Sequence, residues 1–156
     1  MKIRFNAQLG KEILDGLRQE YYEEKPLPHV TELIYCLTRS YYNRFSPADP
    51  TDQEVLLFAT GFGLEKVLLR QHRRPTQRVV DGIHLSPDFI SFGDVLGELK
   101  TTRTSAKKIL NGDFSEGWRC QIMAYAYSEG ILSYDLSVLC LMGGYAPPFP
   151  EIIPLR

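Results

Sequence analysis

Apolar residues at helical spacing open the chain. Leu9, Ile13 and Leu17 recur every four positions between Asn6 and about Glu24, with Leu14 and Tyr21 beside them, which predicts an amphipathic helix. Pro26 and Pro28 end it. A second helix is expected from Thr31, as N-cap, to about Arg44, with Leu33, Ile34, Leu37 and Tyr41 on one face, and Ser-Pro-Ala-Asp-Pro at 46–50 breaks the chain after it. The third helix has the clearest start: in Thr51-Asp52-Gln53-Glu54, Thr51 and Glu54 satisfy each other's free backbone N–H groups as a capping box. It is expected to reach about Gln71. Gly61 and Gly63 each cost it about 1 kcal/mol relative to alanine, so a close approach or a bend is expected there.

The pattern then changes to short β-type runs at Thr76–Leu85, Asp88–Phe92 and Val95–Thr101, the last two separated by Gly93-Asp94, which predicts a meander of three strands. The stretch Thr102–Phe114 is polar. A further helix is expected from Ser115 to a Gly130 cap, then a strand over Leu132–Met142, and the proline-rich residues 143–156 read as an extended tail. From residue 51 the order is α-β-β-β-α-β, a mixed α/β (α+β) fold preceded by two extra N-terminal helices. At 156 residues the chain is long enough for one core, so a single domain over 1–156 is expected, with a helical segment at 1–50, a core at 51–142 and the tail at 143–156.

Composition narrows the classes. Hydrophobic residues at 44% and charged residues at 24% are ordinary for a soluble globular protein, and no apolar run approaches the roughly 18 residues that span a bilayer. The N-terminus turns polar too early for a signal peptide, so no membrane association and a cytoplasmic location are expected. Cys36, Cys120 and Cys140 are odd in number and widely separated, and read as buried reduced thiols rather than disulfides or zinc ligands; His29, His72 and His84 also lack metal-ligand spacing. The net charge of −1 is unevenly spread: residues 65–108 hold nine Lys/Arg against five Asp/Glu. A basic middle in a neutral chain fits either a solvated face or a polyanion held on one side.

Asp88, Glu98 and Lys100 are the residues that can do chemistry. A divalent hard cation needs oxygen ligands, and magnesium is commonly held by one or two carboxylates with water and phosphate completing its shell. Lys100, two residues after Glu98, shares its face of a strand, where an ammonium can orient an attacking water or offset negative charge. Register decides whether the carboxylates meet. A two-residue Gly93-Asp94 turn turns Asp88 away from Glu98; a three-residue loop ending at Asp94 sets Asp88 opposite Glu98 and Ile90 opposite Leu96. Asp81 is the alternative to Asp88.

Pro87-Asp88, then Glu98-Leu99-Lys100 on the neighbouring strand within α-β-β-β-α-β, resembles the PD-(D/E)XK nuclease superfamily. Gln121-Ile-Met-Ala-Tyr125 in the following helix is similar to the Gln-x-x-x-Tyr motif of its RecB-like exonucleases, and Gly61-Phe-Gly-Leu-Glu65 lies where that group has a Gly-x-x-x-His or acidic motif. The resemblance covers roughly residues 51–142, with a fainter likeness over 31–42. It implies a restriction-endonuclease-like core, a central mixed sheet flanked by helices, and Mg2+- or Mn2+-dependent, exonuclease-like hydrolysis of DNA, either single-stranded or at duplex ends. Asp88 and Glu98 would bind the metal together with the Leu99 backbone carbonyl and Glu65, and Lys100 would be catalytic. Gln121 and Tyr125, one turn apart, would support the site or touch substrate. Cys36 resembles the first cluster ligand of the CRISPR-associated adaptation nucleases, but three cysteines cannot supply the four ligands, so no iron–sulfur cluster is expected. Arg73, Arg74 and Arg103, with Arg70, His72, Arg78, Lys107 and Lys108, are candidates for contact with the nucleic-acid backbone, and Tyr41, Tyr42 and Trp118 for stacking on bases. A homo-oligomer or a larger nucleic-acid-processing complex is compatible with this. The competing readings are a binding or scaffold module that keeps the nuclease fold without turnover, and a structural protein unrelated to nucleic acid.

Overall fold

In the computed structural model, residues 7–21, 26–91, 93–141 and 152–155 are described. Helix α1 spans Ala7–Tyr21 and is tied by an Arg18–Asp52 ion pair to α4, Asp52–Leu68. The ends expected for the first helix, Asn6 and residues 22–24, lie outside the described residues. The second expected helix is two: α2, Val30–Ile34, and α3, Leu37–Phe45. His29, not Thr31, is the α2 N-cap, and it forms a capping box with Glu32. The chain leaves helical geometry at Tyr35, whose ring lies so close to Gly117 that a β-carbon there would sit 2.5 Å from it. The break at Tyr35 and Cys36 therefore accompanies docking of an aromatic ring onto a glycine of a later helix, a tertiary contact that local periodicity does not show.

α4 carries the expected capping box, Thr51 with Glu54, and stops at Leu68 rather than Gln71. Neither glycine marks a tight approach: a β-carbon on Gly61 would meet Thr101 Oγ1 at 3.8 Å, ordinary contact, and one on Gly63 would meet open space.

The run expected as one strand over 76–85 is a hairpin, β1 (Arg78–Val80) and β2 (Ile83–Leu85), paired antiparallel with Val80 opposite Ile83. Its two loop residues, Asp81 and Gly82, have φ of 51° and 77°, the left-handed pair that a tight two-residue turn demands and that Asp-Gly supplies cheaply. This hairpin forms its own two-stranded sheet and is not the first strand of a meander.

The main sheet has four strands in the order β3 (Phe89–Ile90), β4 (Leu96–Thr102), β5 (Asp135–Cys140) and β6 (Ile152–Leu155). β3 and β6 run antiparallel to their neighbours, while β4 and β5 are parallel, which requires the crossover supplied by α5 (Ala106–Leu110) and α6 (Glu116–Glu129). α5 lies within the polar stretch Thr102–Phe114, where no element was expected. β6 replaces part of the expected extended tail: Ile152 and Ile153 pair with Leu139 and Val138. α6 begins after Ser115 and ends at Gly130 with φ of 64°, both as expected. Met142, the expected end of the last strand, lies outside the described residues.

Helices cover both faces of this mixed sheet. On one face Leu69 packs with Phe89 and Leu99. On the other, Leu136, Val138 and Cys140 pack with Ile109 and the partly buried Phe114, Trp118 and Ile122. Among the cysteines only Cys140 is buried; Cys36 and Cys120 are exposed, against the expectation of three buried thiols. No helix of the described residues is long and apolar enough to cross a membrane.

Candidate active site

The β3–β4 register decides whether the two acids can meet. Phe89 pairs with Gly97 and Ile90 with Leu96, and Ser91 N–H donates to Val95 O at 2.8 Å, so residues 92–94 form the connection. This is the three-residue alternative. Gly93 and Asp94 close it with φ of 80° and 61°. Gly97 is required by the same register, since a β-carbon there would sit 2.3 Å from the Phe89 ring.

Beyond Phe89 the pairing becomes irregular, and the irregularity fixes Asp88. Its N–H donates to Gly97 O at 3.1 Å, and its Oδ2 accepts the Leu99 N–H at 2.8 Å. Asp88 thus grips β4 on both sides of Glu98. Burial pushes the Asp88 carboxyl up to about 6; the Leu99 N–H opposes this, the Glu65 charge adds to it, and Lys100 and Arg74 oppose it.

Glu98 is only 2% exposed. Its Oε1 accepts from Lys100 Nζ at 2.6 Å and from Gln121 Nε2 at 2.7 Å, while its Oε2 is buried with no hydrogen-bond partner among the described residues. Burial pushes this carboxyl up to about 8, with the Lys100 charge opposing and the Asp88 and Glu65 charges adding. One ammonium does not offset the loss of water around so enclosed a carboxylate.

Gln121 and Tyr125, 3% and 0% exposed, project from α6 onto this face. Gln121 Nε2 also donates to Tyr125 Oη at 2.9 Å, and Tyr125 Oη donates to Ser86 O at 3.3 Å. Burial, then the Glu98 charge, pushes the Tyr125 phenol up, so it stays a neutral donor. A hydrogen-bonded brace therefore runs from the loop before Asp88, through α6, to Glu98. Gln121 Oε1 is buried without a partner among the described residues, as is the hydroxyl of Tyr134 just before β5. Tyr134, whose ring centre lies 6.0 Å from that of Tyr125, had no signal in the sequence: it belongs to no motif and lies outside the expected catalytic strands.

Glu65, expected as a third acidic ligand, pairs with Arg74 at 2.7 Å, and the same Arg74 Nη1 donates to Asp88 O at 2.9 Å. Arg74 thereby links α4 to the Asp88 backbone. Glu65 lies near enough to Asp88 and Glu98 for its charge to raise both carboxyls. Arg73 diverges from Arg74: its backbone bridges Ile90 and its side chain pairs with Asp94 at the β3–β4 loop. Asp81, the alternative acid, is exposed in the turn of the β1–β2 hairpin, in a different sheet from Glu98. Arg78 pairs with Glu129, and His72 stacks edge-on against Phe89. Arg103 lies beyond β4, beside an open pocket. Leu99 is buried, its N–H held by Asp88, between Glu98 and Lys100. Tyr41 and Tyr42 are exposed on α3, whereas Trp118 leans on the core with its ring near-parallel to Phe114.

The arrangement offers two adjacent carboxylates, one with an unpartnered buried oxygen, a lysine held against them and a buried amide brace. Comparison with known protein families finds no match, and comparison with curated proteins finds none either. Among solved structures the chain is similar to one titled "Crystal structure of SSO0001", with a TM-score of 0.56 and 18% identity over 96% of this chain and 76% of that one, a likeness of fold alone.

Proposed function

We propose that the chain is a Mg2+- or Mn2+-dependent nuclease with a restriction-endonuclease-like core, hydrolysing phosphodiester bonds in DNA in an exonuclease-like manner. The observation that carries this reading is Glu98: a buried carboxylate beside Asp88, with Oε1 held by Lys100 and Gln121 and Oε2 without a partner among the described residues. A buried acceptor left unpaired is costly, and two neighbouring acids raise the cost. Hard oxygen donors of this kind fit a divalent cation, and two carboxylates suffice for magnesium. Asp88 and Glu98 would hold it, with the Leu99 carbonyl and Glu65 as its further ligands. When bound, such a cation supplies charge neutralisation at the phosphoryl oxygens and a more acidic water.

The remaining roles fall to side chains. Lys100 sits where an ammonium can orient the attacking water and stabilise developing negative charge. Gln121 keeps Glu98 pointed into the site, and Tyr125 keeps Gln121 there. Degradation of linear but not circular DNA in Mg2+ or Mn2+, abolished by EDTA and by Lys100→Ala, is the expected result. Cleavage that persists in EDTA or in Lys100→Ala refutes the metal mechanism. A scaffold without turnover is favoured by one observation, that Lys100 Nζ is already held by Glu98 Oε1 at 2.6 Å; that reading predicts DNA binding with no cleavage under any metal.

A further inference from the structure

Three carboxylates, Glu65, Asp88 and Glu98, lie close enough to act on one another, and the cations of Lys100 and Arg74 sit among them. Lys100 is held on Glu98 Oε1 at 2.6 Å, with its side chain 20% exposed and that of Glu98 3%. Arg74 is held on Glu65 Oε1 at 2.7 Å, with side chains 46% and 27% exposed. The second pair is the exchangeable one, because water reaches both partners and screens their attraction.

Among the described residues Arg74 makes its hydrogen bonds through Nη1 alone, to Glu65 and to Asp88 O at 2.9 Å. The remaining N–H donors of the guanidinium can face an anion, and their planar fork matches the paired oxygens of a phosphate. The backbone beside it is pinned, since Ile90 N–H donates to Arg73 O at 2.9 Å, so only the side chain has to move. Glu65 can serve Arg74 or a divalent cation, but a guanidinium kept beside that cation repels it.

Resting on the nuclease reading, we propose that Arg74 holds Glu65 in place of the metal ion and gives it up when a substrate phosphate takes the guanidinium, so that metal and substrate each favour the binding of the other. Mn2+ binding to the full chain without nucleic acid, read from the paramagnetic resonance signal of the free ion at pH 8, tests the first half. Arg74→Gln keeps a donor for Asp88 O and removes the charge, and is expected to tighten Mn2+ about tenfold. In a Glu65→Gln chain the same substitution is expected to lose most of that gain, because the carboxylate it would free is gone. The second half is read in the Lys100→Ala chain, which does not cleave, by anisotropy of a labelled linear DNA at constant ionic strength. Mn2+ is expected to raise DNA affinity about tenfold more with Arg74 present than in Arg74→Gln, as reciprocal linkage requires.

Unchanged or weaker Mn2+ binding in Arg74→Gln, an equal gain in the Glu65→Gln chain, or a DNA response to Mn2+ indifferent to Arg74 overturns the inference; Arg74 then only steadies the Asp88 backbone. The two readings fail separately. Mn2+ binding that Arg74→Gln tightens, with no cleavage in any metal, keeps the role of Arg74 and removes the nuclease, and Lys100-dependent cleavage with Mn2+ binding indifferent to Arg74 does the reverse. No Mn2+ binding, or binding that survives Asp88→Asn, removes both.

Discussion

Glu98→Gln tests the electrostatic account of the site without requiring a substrate. The substitution keeps the shape and an oxygen for Lys100 and Gln121 to donate to, and removes a charge from a position only 2% exposed. Because folding raises this carboxyl from its ordinary 4.5 to about 8, the folded protein holds a proton that the unfolded chain has released. The favourable contribution of the protonated acid is complete below pH 4.5 and is lost as pH rises through 8. The loss amounts to on the order of 5 kcal/mol across that window. For a chain of this size that is about 10 to 20 °C in melting temperature. In EDTA, Glu98→Gln is expected to melt close to wild type at pH 5 and at least about 10 °C above it at pH 9. Added Mn2+ is expected to restore wild type at pH 9 and to leave the variant unmoved, because binding to the folded state alone raises stability by mass action. Parallel melting curves for the two proteins from pH 5 to 9, or a variant less stable at pH 9, would mean that Lys100 fully offsets the burial of Glu98 and would refute the reasoning.

Other outcomes follow from particular contacts. Gly97→Ala forces a β-carbon to 2.3 Å from the Phe89 ring and is expected to destabilise by about 1–3 kcal/mol in denaturant melts, with Phe89→Ala in the same chain removing most of that penalty. Gly82→Ala places a side chain at φ 77° in the β1–β2 turn and is expected to cost about 1–2 kcal/mol although the space there is open; an unchanged midpoint would show that the turn relaxes. Tyr134→Phe removes a buried hydroxyl with no partner among the described residues and is expected to leave stability level or raise it slightly; a loss of about 1 kcal/mol or more would show that a buried water links this hydroxyl to Gln121 and Glu98.

The sequence is most readable where structure is local. Thr51 with Glu54, and Gly130, marked helix ends because these caps are built from neighbouring residues. The facing of Asp88 and Glu98 was reducible to one question about the 92–94 loop, since strand alternation carries a register choice to every paired residue. The misreadings have a common origin in contacts made far along the chain. Nothing near Tyr35 announces Gly117, so one helix was expected where there are two. The strand at Ile152–Leu155 exists because β5 offers an edge, and its proline disguises it. Asp81-Gly82 is different: the turn signal was present, and reading 76–85 as a single run passed over it.

The brace from Ser86 through Tyr125 and Gln121 to Glu98 also bears on when the site comes into being. A ribosome delivers Asp88, Glu98 and Lys100 well before Gln121 and Tyr125, and the parallel partner of the Glu98 strand comes later still. Until α6 docks, Glu98 lacks the Gln121 donor that fixes its Oε1 beside Lys100 and the cover that strips its water. The two acids therefore reach the arrangement described above only once a helix made after their strands has docked on them.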